Sequence, residues 1–181
     1  MGTKTKNAAR FDLGISMAKK IIDTKILEYI TSSAMDMLVD AEIQKEYHNL
    51  TGNTLTSYSV GIYKDSSLLR IINISEVDDL KSPTSKKLGR KNGICTIEDY
   101  DTGSVVGVRA NSFLDTDGDY GYNTASNFLK SYSPPVKGWT AVMCTGTEYS
   151  DFLEITKGLN VLSETAMLSP RIVLQNLKPI K

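Results

Sequence analysis

Apolar residues recur every three or four positions from about Phe11 to Tyr47. Ile15, Ala18, Ile22, Ile26, Tyr29 and Ile30 lead, and Ala34, Met37, Leu38 and Ala41 carry the stripe on. That period predicts one long amphipathic helix over residues 11–48, and no proline interrupts it. Thr31, Ser32 and Ser33 mark where it would bend or split, because their hydroxyls compete for backbone hydrogen bonds. Unbroken, such a helix runs about 55 Å at ~1.5 Å per residue, longer than a compact domain of this chain length is wide. Two arrangements fit that length. Either the segment folds back as a helical hairpin, or a single helix packs against neighbouring subunits. The first ten residues carry Lys4, Lys6 and Arg10 without apolar periodicity, and they read as a flexible arm.

After Gly52 the period becomes two. Tyr58, Val60 and Ile62 share one face, while Ser57, Ser59 and Gly61 share the other. Residues 68–74, LLRIINI, read as a second strand beyond a tight turn at Asp65, Ser66 and Ser67. Residues 75–93 hold Lys81, Lys86, Lys87, Arg90 and Lys91 and read as a long exposed loop. GICTIEDY and GSVVGVRA predict a strand pair around Asp101, Thr102 and Gly103. TASNFLKSY predicts a short helix capped by Thr124 and ended before Pro134 and Pro135. GWTAVMCTG then predicts a strand, VLSETAML a helix, and residues 171–177 a final strand.

This order gives an α+β expectation. A long N-terminal helix packs on a curved antiparallel β-sheet spanning residues 53–181, with a loop-rich insertion and a short helix, in one domain over 1–181. At the corner YHNLTGNTLTSY, the Thr51-Gly52 pair reads as the helix stop, since Gly accepts the left-handed conformation of a C-terminal cap. Thr54, Thr56, Ser57 and Ser59 then read as a wettable strand face.

Composition narrows the function classes. The 21 basic and 21 acidic residues cancel, which disfavours a dedicated nucleic-acid binder and permits self-association. With one His and two Cys, Cys95 and Cys144, the chain lacks the ligands for a transition-metal enzyme, and both thiols read as reduced and partly buried. His48 sits where a helix C-terminal dipole would favour it, and a catalytic pair with Cys144 has no supporting signature. Asp115, Asp117 and Asp119 sit at calcium-loop spacing, but Tyr120 replaces the turn Gly and Ser126 the bidentate Glu, so DTDGDYG reads as a turn. No phosphate-binding loop or nucleophile elbow occurs, and neither an enzymatic activity nor a cofactor is expected. The opening residues have no apolar segment for a signal peptide, and Lys6 breaks the myristoylation pattern, so synthesis and assembly in a cytoplasm are expected.

A family resemblance rests on two blocks. The long helix followed by Thr51, Gly52 and then Ser57 resembles the opening of the tail-completion or neck proteins of tailed bacteriophages, and Asn53 lies within that motif. A later strand leading to Tyr149 and Glu154, in VMCTGTEYSDFLEITKG, is similar to the family's second block. The chain departs from that pattern at Thr54, at Ser150 and at Gly158, which stands further from the Glu than in the family. The resemblance implies a non-enzymatic structural protein of the virion. Copies would form a ring of six or twelve that connects portal and tail proteins around the DNA passage, without sequence recognition. The expectation from another class is a soluble sheet module that grips a peptide or glycan on an aromatic platform of Tyr58, Tyr63, Tyr120, Tyr122 and Trp139.

Overall fold

A computed structural model describes residues 2–45, 47–77, 87–109, 120–135, 137–147, 155, 157, 159 and 161–177. The fold is α+β, as the element order implies. The long helix α1 spans Gly2–Gln44, 43 residues without a break. Its start differs from the sequence expectation, because the polar stretch read as an arm is helical from Gly2 onward. Lys, Arg and Ala are strong helix formers, and propensity alone extends the helix where no apolar stripe does. The hydroxyl residues do not split it. Ser33 donates to the Tyr29 carbonyl at 2.9 Å and Thr24 to the Lys20 carbonyl at 2.9 Å, so each bonds back within the helix. The hairpin alternative is thereby excluded.

A short helix α2 (Asn53–Ser57) follows, then strands β1 (Ser59–Lys64) and β2 (Ser67–Asn73). Asp65 and Ser66 both take positive φ, 48° and 68°, the left-handed pair that a two-residue hairpin requires. A single 3-10 turn at Ile74–Glu76 closes this unit. Strands β3 (Lys87–Lys91), β4 (Ile94–Glu98) and β5 (Val105–Arg109) come next, then helix α3 (Tyr120–Ser131), strand β6 (Trp139–Cys144) and helix α4 (Val161–Asn176).

The antiparallel strands fall into two three-stranded sheets among the described residues, ordered β2-β1-β6 and β3-β4-β5, where the pattern suggested one. The exposed loop expected at 75–93 accordingly ends in strand β3. The main core lies between the second half of α1 and the first sheet. Ala34, Leu38 and Ala41 meet Leu55, Tyr58, Val60, Ile62, Ile72 and Ile74 there, and Val161 of α4 closes it. The second sheet has a far smaller core of Cys95 and Ile97, covered by Leu50, Val106 and Val108.

Two helical expectations are corrected. α3 begins at Tyr120, four residues before the proposed Thr124 cap. Residues 171–177, read as a strand, instead continue α4 straight through Pro170. Pro170 removes one donor to the Ala166 carbonyl, but the Ser169 hydroxyl donates to that same oxygen at 2.8 Å. Packing then holds the helix: Thr165 donates to Asp40 at 3.2 Å and Asn176 to Asp36 at 2.6 Å, both on α1.

The first half of α1 behaves differently from the second. Every described side chain from Asn7 to Ile22 is exposed, including Phe11, Leu13, Ile15, Met17, Ile21 and Ile22. Gly14 lies in this stretch with nothing within 4 Å of where a Cβ would sit. Gly14→Ala is therefore expected to strengthen the free half of the helix by about 1 kcal/mol. Amide hydrogen exchange along residues 10–18 would slow roughly fivefold; unchanged exchange would mean that this half is not an independently formed helix.

Candidate functional site: the corner after the long helix

The corner is built differently from the sequence reading, and more tightly. α1 has already ended at Gln44, so Thr51 and Gly52 do not stop it. Gly52 instead stands at the N-cap of α2 with φ 77°. It is left-handed as expected, but it starts a helix. Its carbonyl accepts from the Thr56 amide at 2.9 Å and the Thr56 hydroxyl at 2.8 Å. A Cβ on Gly52 would lie 2.5 Å from the Tyr100 ring, so the aromatic face sits directly on the glycine backbone.

The hydroxyl run is buried, not wetted. Thr54, Thr56, Ser57 and Ser59 are all inside, because α2 turns these residues into the body before β1 begins. Ser57 donates to the Thr54 carbonyl at 2.7 Å and shares a hydrogen bond of 2.6 Å with Thr145, which lies 3.4 Å from the Thr147 hydroxyl. The two sequence blocks behind the family resemblance thus meet in space, Ser57 from the first and Thr145 from the second. Thr51 accepts weakly from the Asn53 amide at 3.4 Å. The Asn53 side-chain oxygen and both polar atoms of the Asn49 side chain are buried without a hydrogen-bond partner among the described residues. Tyr149 and Glu154 lie outside the described residues, as does the Asp115–Asp119 loop.

The sequence reading missed Asn73, the hub beneath the corner. Its side-chain amide donates to the Thr56 carbonyl at 2.8 Å, the Tyr58 carbonyl at 3.1 Å and the Ser59 hydroxyl at 2.9 Å. Its oxygen accepts from the Ser75 amide and hydroxyl at 3.0 and 2.6 Å. A polar residue closing the apolar run LLRIIN was the available signal. Gly121 and Gly146 were missed as well. They bring the start of α3 against the 145–147 segment so closely that a Cβ on Gly146 would lie 1.9 Å from the Gly121 carbonyl oxygen.

A charged clasp ties the same corner to the second sheet. His48, which is not on the helix and so gains nothing from its dipole, meets Asp99 at 2.5 Å and Asp101 at 3.5 Å. Lys45 reaches Asp101 at 3.6 Å. The Asn49 amide donates to Asp101 at 2.7 Å, and the Tyr100 amide donates to the Leu50 carbonyl at 3.0 Å. The hydrogen bond that His48 donates to Asp99 raises the His48 pKa above its ordinary 6.5. Burial pushes Asp99 upward, yet the bonds from His48 and Thr102 outweigh it and hold its pKa below 3.8.

The pair therefore stabilises the fold most between those two values. Above pH 6.5 the contribution fades as His48 loses its proton, and below 3.8 it fades as Asp99 gains one. Raising the pH from 6 to 8.5 is expected to lower the thermal midpoint, and His48→Ala is expected to flatten that slope. An unchanged slope in the variant would remove His48 from the clasp.

Among the described residues, no three His, Cys, Asp or Glu side chains are grouped to hold a metal ion. Cys144 does not pair with His48. Burial pushes its thiol up to about 12, and it faces the Ala125 carbonyl at 3.9 Å. A cleft of about 410 Å³ between α1, α4 and the first sheet is lined by Met37, Val60, Ala141, Met143 and Ala166. The proposed aromatic platform does not assemble, because Tyr58 and Tyr63 are fully inside while Tyr122 is exposed on α3. No described helix is long and apolar enough to cross a membrane.

The fold and corner define an α+β chain whose long helix outreaches its own core. Comparisons with protein-family models, with curated proteins and with solved structures find no match.

Proposed function

We propose that this chain is a structural subunit of a tailed-phage virion, a neck or tail-completion protein. In this reading it is a head-tail connector that assembles as a ring of six or twelve copies and joins portal and tail proteins around the DNA channel. The observation that carries the reading is the exposed apolar first half of α1. Such a surface on a chain of zero net charge is a self-association surface before it is anything else. The corner at 51–57, buried from Gly52 onward, adds support, since it fixes the direction in which β1 leaves α2, as a repeating wall element requires. The body can then sit beside identical bodies through heterologous, closing contacts. DNA passes such a ring without being read, which suits a balanced charge.

The test is location. An antibody raised against the chain, applied to tailed particles from the host that encodes it, should label the head–tail junction. Label confined to the soluble fraction, with none on particles, would end this reading.

A further inference from the structure

The first half of α1 carries two apolar ridges, not one. At about 100° per residue, Phe11, Ile15, Ala18 and Ile22 fall along one line of the helix. Leu13, Met17 and Ile21 fall along a second, roughly 130° away around the axis. The third line holds Asp12, Ser16, Lys19 and Asp23, and it continues the face that buries Ala34, Leu38 and Ala41 further along. That polar line is the one turned to the body. Lys64 of β1 pairs with Asp23, and Ser16, Lys19 and Asp23 line a cleft of about 360 Å³ with Leu69 and Trp139. Both apolar ridges therefore face away from the described body.

We infer that each ridge takes the opposite ridge of a second copy, so that the first halves of α1 form a closed palisade of parallel helices with the bodies outside. This rests on the ring proposed above and names its interface. A dimer related by a two-fold axis would use one ridge and leave the other wet. A cyclic assembly must use two different faces per subunit, and two is what the helix offers.

The angle agrees. Neighbours stand about 120° apart as seen from a subunit of a six-fold ring and about 150° in a twelve-fold one, so ~130° favours six over twelve. The area explains why a pair alone would not suffice. The six large side chains, between 45% and 69% exposed, present roughly 700 Å² per copy at ~200 Å² for a free large side chain, so each ridge offers roughly 350 Å², under half of the ~800 Å² each partner brings to a stable interface. Split between two ridges, that surface holds an isolated pair weakly. A ring that grips each copy on both sides uses all of it.

Cysteine cross-linking of the full chain tests the pairing. Ile15→Cys and Met17→Cys both replace exposed residues, and the native thiols do not compete because Cys95 is buried and Cys144 is held protonated. Under mild oxidation each single variant alone should stay uncross-linked, since a ridge never meets its own kind. Their equimolar mixture should give a heterodimer, and the double variant a ladder closing at about six copies. A homodimer from either single variant would overturn the inference in favour of a two-fold contact. No ladder from the double variant would overturn it too, and so would a cross-link that appears only when lipid vesicles are added. Rings that form without the ladder would leave the connector reading standing while this interface falls. A ladder from a protein absent from the head–tail junction would do the reverse.

Discussion

Gly146→Ala is expected to destabilise the fold by about 3 kcal/mol or more, seen as a lower urea midpoint. The new Cβ would meet the Gly121 carbonyl oxygen at 1.9 Å and the Ala125 amide nitrogen at 2.5 Å. Both are backbone atoms of α3, so no side chain can swing aside to relieve the contact. The helix itself must shift, and α3 is fixed from its other end. Leu129 is fully buried, and its carbonyl accepts from the buried Tyr63 hydroxyl at 2.6 Å. Gly103→Ala supplies the contrast. Gly103 has φ +67° but nothing within 4 Å of its Cβ position, so backbone strain alone costs about 1 kcal/mol. If both variants lost stability equally, the close approach of α3 to the 145–147 segment would be refuted.

Asn73→Asp is expected to be worse than Asn73→Ala, although it is the smaller change in shape. Alanine leaves the Thr56 carbonyl and the Ser59 hydroxyl short of a partner in a site only 2% exposed, a loss of about 2–3 kcal/mol. Aspartate keeps the volume but places an acceptor where the amide donated to two carbonyls, and adds a buried charge where the described side-chain partners are neutral. A further loss of 1 kcal/mol or more is expected, easing as the pH falls and the carboxyl takes a proton. Equal melting of the two variants, or an aspartate form insensitive to pH, would show that the amide is not the donor in this network.

What the sequence made legible follows from how local each signal was. The β1–β2 hairpin could be read because alternation and the Asp65-Ser66 turn are both contained within fifteen residues. The β4–β5 pair around Asp101-Thr102-Gly103 was legible for the same reason. The first half of α4 was legible in VLSETAML, but its continuation past Pro170 was misread because its decisive partners are distant: Asp36 and Asp40 on α1 hold Thr165 and Asn176, and Ser169 repairs the break at Pro170. The corner was half legible. Gly52 announced a left-handed residue, but only the Tyr100 ring, nearly fifty residues on, explains why no side chain fits there. The Thr and Ser run looked wettable because hydroxyls on a strand usually are. α2 buries them, and Asn73 and Thr145 satisfy the polar groups so exposed to the core. The two ridges of α1 were hidden in what read as a single stripe, since apolar spacings of three and four residues also suit a stripe that drifts from one face to another.

The most direct test of a self-assembling subunit is the mass and shape of the purified full chain at high concentration, by light scattering on an eluting peak and negative-stain imaging of the same fraction. A closed ring near six times 19.9 kDa, with an open centre, is expected. A compact species of 19.9 kDa that stays monomeric as its concentration is raised would contradict it.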